Sequence, residues 1–386
     1  MKNKFLLTLL LVVSVLGLVS CIKEKEEDSL EKYTITWVND DGTTLEIDYD
    51  VVKGTMPEYN GSAPVSSLES SAVYSYVFTG WSPEVLEVTK DAVYTATYMK
   101  LNISTTILGS KPIVSEDGKT VTYGLYPQSY VSDTNLIATL NTLDKEPNGW
   151  YLYEDNYYVK ETASIYNNED YKFNDGISIV DKKEYWFKCE PIVWNILSSE
   201  GEVYYLLSSV LLDAGSFNSN INTEIVDGMT VYSNNYEHSD IRSWLNEYFY
   251  NCAFSLNNTF IKSVQVNNDG ATSDDINNKY ASNKTTDKVY LPSYADYLNS
   301  SYGFASDSTT GSITRECKTT EYARCKGAWY NEDSQFKYNG SYWTRTATSQ
   351  YYYCAWNVNS SGYLSTYAVN GNSHCVRPCI TVYIPA

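Results

Sequence analysis

The chain is poor in histidine and in basic residues. Only two of its 386 residues are histidines, and 28 lysines and arginines are set against 47 aspartates and glutamates. The resulting net charge of −19 repels phosphate backbones, so we expect no nucleic-acid partner. The same charge disfavours electrostatic attachment to anionic lipid head groups. Because a zinc site of the usual kind needs four ligands, two histidines without any Cys-x-x-Cys pair predict no bound metal.

Signatures of hydrolytic catalysis are also missing. The sequence contains no Gly-x-Ser-x-Gly element, and neither His238 nor His374 has a recognisable nucleophile or carboxylate partner. Carboxylates are numerous, but nothing in their spacing sets two of them at a glycosidase separation. We therefore expect no catalytic residues, no cofactor and no enzymatic activity.

Long apolar runs are missing from the sequence except at the N-terminus. There, two lysines precede a largely apolar stretch, residues 5–19, which predicts a signal peptide over residues 1–20. This stretch ends in Leu18-Val19-Ser20-Cys21, which resembles the bacterial lipobox. The resemblance implies that Cys21 is lipidated and anchors the mature protein to the membrane. The alternative is a cleaved secretory signal in which Cys21 has no role.

Changes in composition divide the rest of the chain into segments. A charged run follows Cys21, and after it come strand-like patterns, a turn-rich linker and a long mixed region. At ~100–200 residues per domain, the length allows two or three domains. We predict an α+β, multidomain chain in this order: signal peptide (1–20), charged tether (21–32), small β domain (33–99), linker (100–119), and a large domain of short antiparallel strands, a few helices and long loops (120–386).

The small β domain has four alternating segments of β-branched and aromatic residues, which predict four strands, and a turn signal at Asn39-Asp40-Asp41-Gly42. Several of its pieces resemble the internalin B-repeat, also called the Listeria–Bacteroides repeat. The resemblance implies a compact β-grasp fold that serves as a spacer or an interaction module. The matching pieces are Tyr33 to Gly42, Lys53-Gly54-Thr55 before Pro57, Phe78-Thr79-Gly80-Trp81, and Tyr94-Thr95-Ala96-Thr97-Tyr98.

Among the few helices predicted in the large domain, two have both a capping residue and an apolar stripe. Asp133 is a candidate cap for the first, whose apolar residues Leu136, Ile137, Leu140 and Leu143 recur at helical spacing. Ser239 or Asp240 is a candidate cap for the second. Its apolar residues form a stripe that should face the core. They are Ile241, Trp244, Leu245, Tyr248, Phe249 and Cys252.

Ordered motifs along the large domain resemble an uncharacterised family of bacterial extracellular domains. The resemblance implies a C-type-lectin-like fold, in the branch that contains the formylglycine-generating enzyme. It implies the fold more than any function, because the family has no established activity. The motifs are Tyr126-Pro127-Gln128, the helix residues Ser239, Arg242, Trp244, Leu245 and Asn246, Leu291-Pro292-Ser293, Tyr342 to Thr346, and Val376-Arg377-Pro378.

The segment between Trp343 and Val376 is dominated by Tyr, Asn and Ser. Tyrosine offers a large, stiff contact area at low entropy cost, and small polar residues adapt their hydrogen bonds, so binding surfaces are often made this way. The segment also resembles the variable region of lectin-fold proteins diversified by retroelements. The alternative is an ordinary Tyr-rich sheet edge, since tyrosine is a good strand former. The candidate ligand-binding residues are Tyr351, Tyr352, Tyr353, Trp356, Asn357, Tyr363, Tyr367 and Asn370.

Seven cysteines follow Cys21, and export permits disulfides, so we expect one or two in the C-terminal part. Cys375 and Cys379 are similar in position to the C-terminal cysteine pair with which formylglycine-generating enzymes hold copper, although the spacing differs by one residue. This pair is the basis of the enzymatic alternative, a copper oxidase.

Trp356-Asn357 resembles the start of the Trp-Asn-Asp element of calcium-dependent lectins, but the aspartate is missing. We expect structural roles for three arginines, Arg242, Arg345 and Arg377.

Together these patterns predict a lipid-anchored protein at the bacterial cell surface or in the cell envelope. Its lectin-like domain would bind a protein or glycan ligand, as an adhesin or a receptor. The competing prediction is a structural envelope protein whose tyrosines only pack.

Overall fold

The computed structural model describes residues 31–68, 74–102, 109–167, 170–270 and 278–385. The predicted signal peptide, Cys21 and most of the tether therefore lie outside the described residues. The described residues form two compact units, one within residues 1–67 and 80–98 and the other within residues 68–79 and 99–386. Across the described ranges the chain is rich in strands, with several sheets and a few short helices, which agrees with the predicted α+β, multidomain class.

The first sheet confirms the four strands predicted near the N-terminus. Its order is β2-β1-β4-β3, with β1 antiparallel to β2 and parallel to β4. Alternation along β1 turns Ile35 and Trp37 inward, where they pack with Val88 and Tyr94. Gly42 closes the β1–β2 turn at a φ of 82°. The strands are β1 (Lys32–Val38), β2 (Thr44–Val52), β3 (Tyr74–Ser82) and β4 (Ala92–Asn102).

The larger unit contains the remaining strands and the helices of the described residues. The strands are β5 (Ile113–Val114), β6 (Thr120–Tyr130), β7 (Tyr151–Tyr153), β8 (Asn156–Thr162), β9 (Glu184–Glu200), β10 (Val203–Ser208), β11 (Asp213–Ala214), β12 (Glu224–Val226), β13 (Met229–Val231), β14 (Val264–Val266), β15 (Thr285–Asp287), β16 (Val289–Tyr290), β17 (Tyr342–Ala347), β18 (Cys354–Val358), β19 (Leu364–Ala368), β20 (Cys375–Val376) and β21 (Cys379–Tyr383). The helices are α1 (Thr134–Leu140), α2 (Asp240–Trp244), α3 (Tyr250–Ala253) and α4 (Glu321–Cys325), with a π-helical segment (Leu245–Phe249) and two 3₁₀ turns (Asp296–Leu298 and Ser300–Tyr302).

Two sheets organise this unit. The larger follows the order β16-β21-β10-β9-β6-β5, and β8 and β7 extend from β9. Strand β21, near the C-terminus, thus lies between β10 and β16. The smaller sheet follows the order β11-β20-β17-β18-β19, with β17 parallel to β20 and antiparallel to β18. Short strands form in the C-terminal part, as expected of the large domain, and the smaller sheet carries the Tyr-rich segment.

Both predicted helices form, but the second is irregular. Asp133 caps α1 by accepting from the backbone N–H groups of Asn135 and Leu136 at 2.8 and 3.2 Å. Ser239 caps α2 by accepting from the N–H of Arg242 at 3.3 Å. The π-helical segment after α2 adds a residue to one turn, so the spacing drifts away from 3.6. As a result Tyr248, expected in the core stripe, is 52% exposed.

The core beside the large sheet depends on one glycine. Trp194 on β9 is fully buried and donates its indole N–H to the carbonyl of Tyr123 at 2.7 Å. The next residue, Gly124, has a φ of 77°, and a Cβ there would lie 2.7 Å from the ring of Phe254 and 2.9 Å from the carbonyl oxygen of Ala253. Glycine is therefore required for β6 to approach the end of α3.

The expected disulfides are wrong. All seven cysteines of the described residues are free thiols. Cys317, Cys375 and Cys379 pack into one apolar cluster with Tyr297 and Tyr342, where a thiol acts as a small apolar side chain. Among the same described residues, no helix is both long enough and apolar enough to cross a bilayer.

Candidate functional site

The hairpin of β18 and β19 shows which predicted contact residues share a face. Ala355 lies opposite Tyr367, and Asn357 lies opposite Ser365. Alternation therefore puts Asn357 and Tyr367 on one face of the sheet and Trp356 on the other. Trp356 packs against Tyr294 with 4.5 Å between ring centroids, and it is only half-buried.

Three of the predicted residues come together just before β18. The ring centroids of Tyr351 and Tyr353 lie 5.6 Å apart, and those of Tyr352 and Tyr353 lie 5.2 Å apart in an edge-to-face arrangement. Tyr351 is 50% exposed and Tyr352 is 37% exposed. These three rings share one exposed region of the protein.

Two tyrosines that sequence reasoning missed extend this group. The ring of Tyr232 lies 6.1 Å from that of Tyr352, and the ring of Tyr280 lies 4.7 Å from that of Tyr232. Both come from segments rich in Asn and Ser, a composition typical of the long loops predicted for the large domain. An aromatic residue in an otherwise polar loop could have marked each of them as a candidate contact residue. Only the folded structure shows which loops lie together. We call Tyr232, Tyr280, Tyr351, Tyr352 and Tyr353 the tyrosine cluster.

A buried amide holds the backbone under the tyrosine cluster. Asn234 is fully buried, and its Nδ2 donates to the carbonyl oxygens of Thr348, Tyr351 and Cys354 at 3.2, 3.0 and 2.9 Å. The backbone N–H of Asn234 donates to the carbonyl of Tyr352 at 3.0 Å. Nδ2 carries two hydrogens, so one of them is shared between two of these carbonyls. Asn234 therefore contacts the segment 348–354 at four backbone positions, and the backbone under the rings is held before any partner arrives.

Two other predicted residues lie at opposite ends of β19. Asn370 is exposed, and the N–H of its neighbour Val369 donates to the carbonyl of Tyr353 at 3.0 Å, so Asn370 borders the tyrosine cluster. Tyr363 is 38% exposed but precedes the other end of the strand. At 3.4 Å per residue, this end is about 17 Å away from the cluster.

Asn357 and Tyr367 surround a buried histidine instead. Asn357 is 2% exposed, and its Nδ2 lies 2.8 Å from Nε2 of His374. The His374 ring is packed between those of Trp343 and Tyr367, at centroid distances of 4.4 and 4.5 Å. Burial lowers the pKa of His374 to about 3, so the ring is neutral and accepts the amide hydrogen at Nε2. The Asn357 amide is thus used in a buried hydrogen bond and is not exposed to a ligand, whereas Tyr367 remains 44% exposed.

Residues 205–384 match the model of one family, Domain of unknown function (DUF6273). No curated protein and no solved structure matches the chain. The match begins within β10 and ends after β21, and it includes the whole tyrosine cluster. It is shorter than the predicted domain of residues 120–386. Below we refer to residues 205–384 as the DUF6273 region.

The arginines of the DUF6273 region have the structural roles expected of them. Arg242 Nη2 pairs with the buried Asp287 carboxylate at 2.7 Å. Arg345 Nη1 pairs with Asp296 at 2.8 Å. Arg377 Nε donates to the carbonyl of Ser208 at 3.0 Å, deep in the interior. These contacts tie the predicted motifs to the surrounding loops.

The cysteines of the proposed copper pair are buried in the DUF6273 region. Cys375 is fully buried and Cys379 is 2% exposed, and burial raises the pKa of both thiols. Cys375 lies close enough to Cys317 for the charge of one thiolate to oppose ionisation of the other. Metals bind the thiolate form, which this environment disfavours. The geometry therefore gives no support to the copper alternative over a packing role.

Proposed function

We propose that this chain is a lipid-anchored protein of the bacterial cell envelope whose C-terminal domain binds a protein or glycan ligand through the tyrosine cluster. The observation that carries the proposal is the grouping of five tyrosine rings, three of which project from backbone that Asn234 holds. A structural envelope protein whose tyrosines only pack has no need of half-exposed rings fixed in this way.

The chemistry of the tyrosine cluster suits recognition. Each ring offers an apolar face, and each hydroxyl can donate or accept a hydrogen bond at the edge of an interface. Tyrosine is enriched among the residues that dominate binding energy. Tyr351 and Tyr352 carry most of the exposed ring area among the predicted residues before β18, so we propose them as central contacts, with Asn370 at the border of the surface.

The rest of the chain supports an anchored, extracytoplasmic protein. The apolar N-terminal stretch and Cys21 match the lipobox pattern. The sheet order β2-β1-β4-β3 with parallel β1 and β4 supports a β-grasp spacer in the first unit. In the second unit, the position of β21 inside the large sheet and the separate smaller sheet support a C-type-lectin-like plan.

A binding screen tests the proposal. Protein carrying Cys21→Ser, produced without the signal peptide, is screened on a glycan array and on an array of extracellular proteins. The triple variant Tyr351→Ala, Tyr352→Ala, Tyr353→Ala is screened in parallel. We expect a ligand that the parent binds and the triple variant does not, and the array that yields it identifies the ligand class. Ligands bound equally by both proteins would refute the tyrosine cluster as the binding surface.

A further inference from the structure

Arg324, on α4, is a buried cation with unused hydrogen-bond donors. Its Nη2 donates to Oδ1 of Asn174 at 2.6 Å, but neither Nε nor Nη1 has a hydrogen-bond partner among the described residues. Arg315 is equally buried, and there Nε, Nη1 and Nη2 donate to five backbone carbonyls. The fold therefore supplies hydrogen-bond acceptors to every nitrogen of the buried Arg315 guanidinium, but not to those of Arg324.

The nearest carboxylate does not neutralise Arg324 fully. Glu321 Oε1 lies 3.9 Å from Arg324 Nη2, which is too far for a hydrogen bond. Both carboxylate oxygens of Glu321 already accept backbone N–H groups, from Asn174 at 2.6 Å and from Tyr130 at 2.9 Å. A second anion would therefore find both charge and donors available at the guanidinium.

A cleft lies near this guanidinium but is separated from it by two tyrosine rings, and Arg324 itself does not line the cleft. The guanidinium carbon of Arg324 lies 4.3 Å from the ring centroid of Tyr338 and 5.3 Å from that of Tyr330. Both rings and Asn174 line a cleft of about 360 Å³, which is within the size range of small-molecule sites. Lys172 and Lys337 also line it, as do Asp175 and Glu332, so the rim carries balanced charge.

Tyr338 is held in an unusual backbone conformation. Its φ is 70°, in the left-handed region that bulky residues seldom adopt. Its carbonyl accepts from the Thr319 N–H at 2.8 Å, and its N–H donates to the Asn331 carbonyl at 2.9 Å, so the surroundings impose this conformation. Such strain is concentrated at ligand-binding and catalytic positions. The Tyr330 hydroxyl accepts a hydrogen bond from the N–H of Lys172 at 2.9 Å, which holds that ring. A ligand in the cleft therefore reaches Arg324 only if the Tyr338 ring rotates away from the guanidinium.

We propose that this cleft binds a small organic carboxylate, whose oxygens accept hydrogen bonds from Arg324 after Tyr338 rotates away. Carboxylates suit the site because the planar guanidinium binds them with short, charge-assisted hydrogen bonds. The surrounding tyrosine rings would pack against the body of the ligand. Two sources carry this chemistry, an acidic sugar and a peptide carboxyl group. The site shares no residue with the tyrosine cluster, so either proposal can fail without the other.

Isothermal titration of the Cys21→Ser protein with glucuronate, its methyl ester, glucose and N-acetylglycine tests the site. We expect glucuronate to bind at least tenfold more tightly than its ester and glucose, because only the acid carries the carboxylate. Comparable binding of N-acetylglycine would point to a peptide source, and much weaker binding would point to an acidic sugar. Equal affinities for acid, ester and glucose, or no binding of either carboxylate, would overturn the proposal.

Variants locate the binding. Arg324→Gln should lose at least tenfold in glucuronate affinity, whereas Arg345→Gln, which removes an arginine elsewhere in the same region, should keep it. Thermal unfolding checks that both variants fold. If Arg324→Gln does not fold, the relative affinities of the parent protein for glucuronate and its methyl ester still test the proposal. Retention of full affinity by a folded Arg324→Gln variant would contradict the assignment.

Discussion

The side-chain amide of Asn234 donates a hydrogen bond to the carbonyl of Tyr351 at 3.0 Å, across a long separation in sequence. The same amide reaches Thr348 and Cys354, so one buried residue orders the whole turn before β18. Three of the rings proposed to contact the ligand project from this turn. The position of the binding surface is therefore decided by a polar residue that does not itself reach the ligand.

Replacing Asn234 with alanine should loosen this turn. The change removes the side-chain donor of two buried carbonyls and one part-buried carbonyl, and we expect a loss of about 2–4 kcal/mol in the free energy of unfolding. Urea denaturation measures the loss, and hydrogen exchange should show faster exchange in residues 348–354. Asn222→Ala, at an exposed loop position, is the control and should change stability by less than about 0.5 kcal/mol. An unchanged exchange rate in the turn would show that Asn234 does not hold it.

His374 should make the protein sensitive to acid. Its folded pKa is about 3, against 6.5 for an ordinary histidine, so the unfolded chain binds a proton that the folded one excludes between these values. Stability from this group is therefore present above pH 6.5 and is lost as the pH falls. At 1.36 kcal/mol per unit, the loss should reach about 2–3 kcal/mol by pH 4.5.

The variant His374→Phe tests this titration. It should be less stable at pH 7 by about 1–2 kcal/mol, because Asn357 loses its partner, but its stability should fall less steeply on acidification. His238→Phe replaces the other histidine, which is exposed, and should keep the parental pH dependence. Chemical denaturation between pH 7 and pH 4.5 gives the comparison. Parallel curves for His374→Phe and the parent would rule out His374 as the titrating group.

Gly124→Ala should destabilise the large unit more than the same substitution at a glycine with free space around it. Both Gly124 and Gly176 have positive φ, but only at Gly124 would a Cβ meet other atoms, at 2.7 Å from the Phe254 ring. Comparing the two alanine variants cancels the backbone strain and leaves the steric clash. We expect Gly124→Ala to cost about 2–3 kcal/mol more than Gly176→Ala in thermal or urea unfolding. Equal losses would mean that β6 shifts to admit the methyl group.

Lipidation at Cys21 should decide where the protein is found. Expressed in a bacterial host with an alkynyl fatty acid, the parent should incorporate label and enter the membrane fraction, whereas Cys21→Ala should do neither. Cys252→Ala, a half-buried cysteine in the second unit, is the matched control and should be labelled normally. An unlabelled parent protein would favour the simple secretory signal.

Features with local signals could be predicted from the sequence. The Asp133 cap, the turn at Gly42 and the four strands of the first sheet are each specified by a few adjacent residues, and all of them form. The π-helical segment after α2 was not predictable from apolar spacing, because it breaks the period on which that reasoning depends. Tyr248 was consequently assigned to the core although it is exposed.

The candidate site was only partly predictable for a different reason. Strand alternation predicts that Trp356 and Asn357 point to opposite faces of the sheet. Which of the two faces is buried could be seen only in the folded structure. Tyr232 and Tyr280 join the tyrosine cluster through contacts between loops distant in sequence, and 119 residues separate Ser233 from its partner Tyr352. The buried thiols were mistaken for disulfides because cysteine count and export indicate which bridges are allowed, not which side chains meet.

The most direct test of the account is the affinity of the screened ligand for two variants, measured by isothermal titration. One is the triple variant Tyr351→Ala, Tyr352→Ala, Tyr353→Ala, and the other is Tyr363→Ala, a tyrosine of similar exposure at the far end of β19. Because tyrosines at an interface centre often contribute more than about 1–2 kcal/mol each, we predict a loss of at least about 100-fold for the triple variant and less than about twofold for Tyr363→Ala. Equal affinity of the triple variant and the parent, or a greater loss in Tyr363→Ala, would contradict the account.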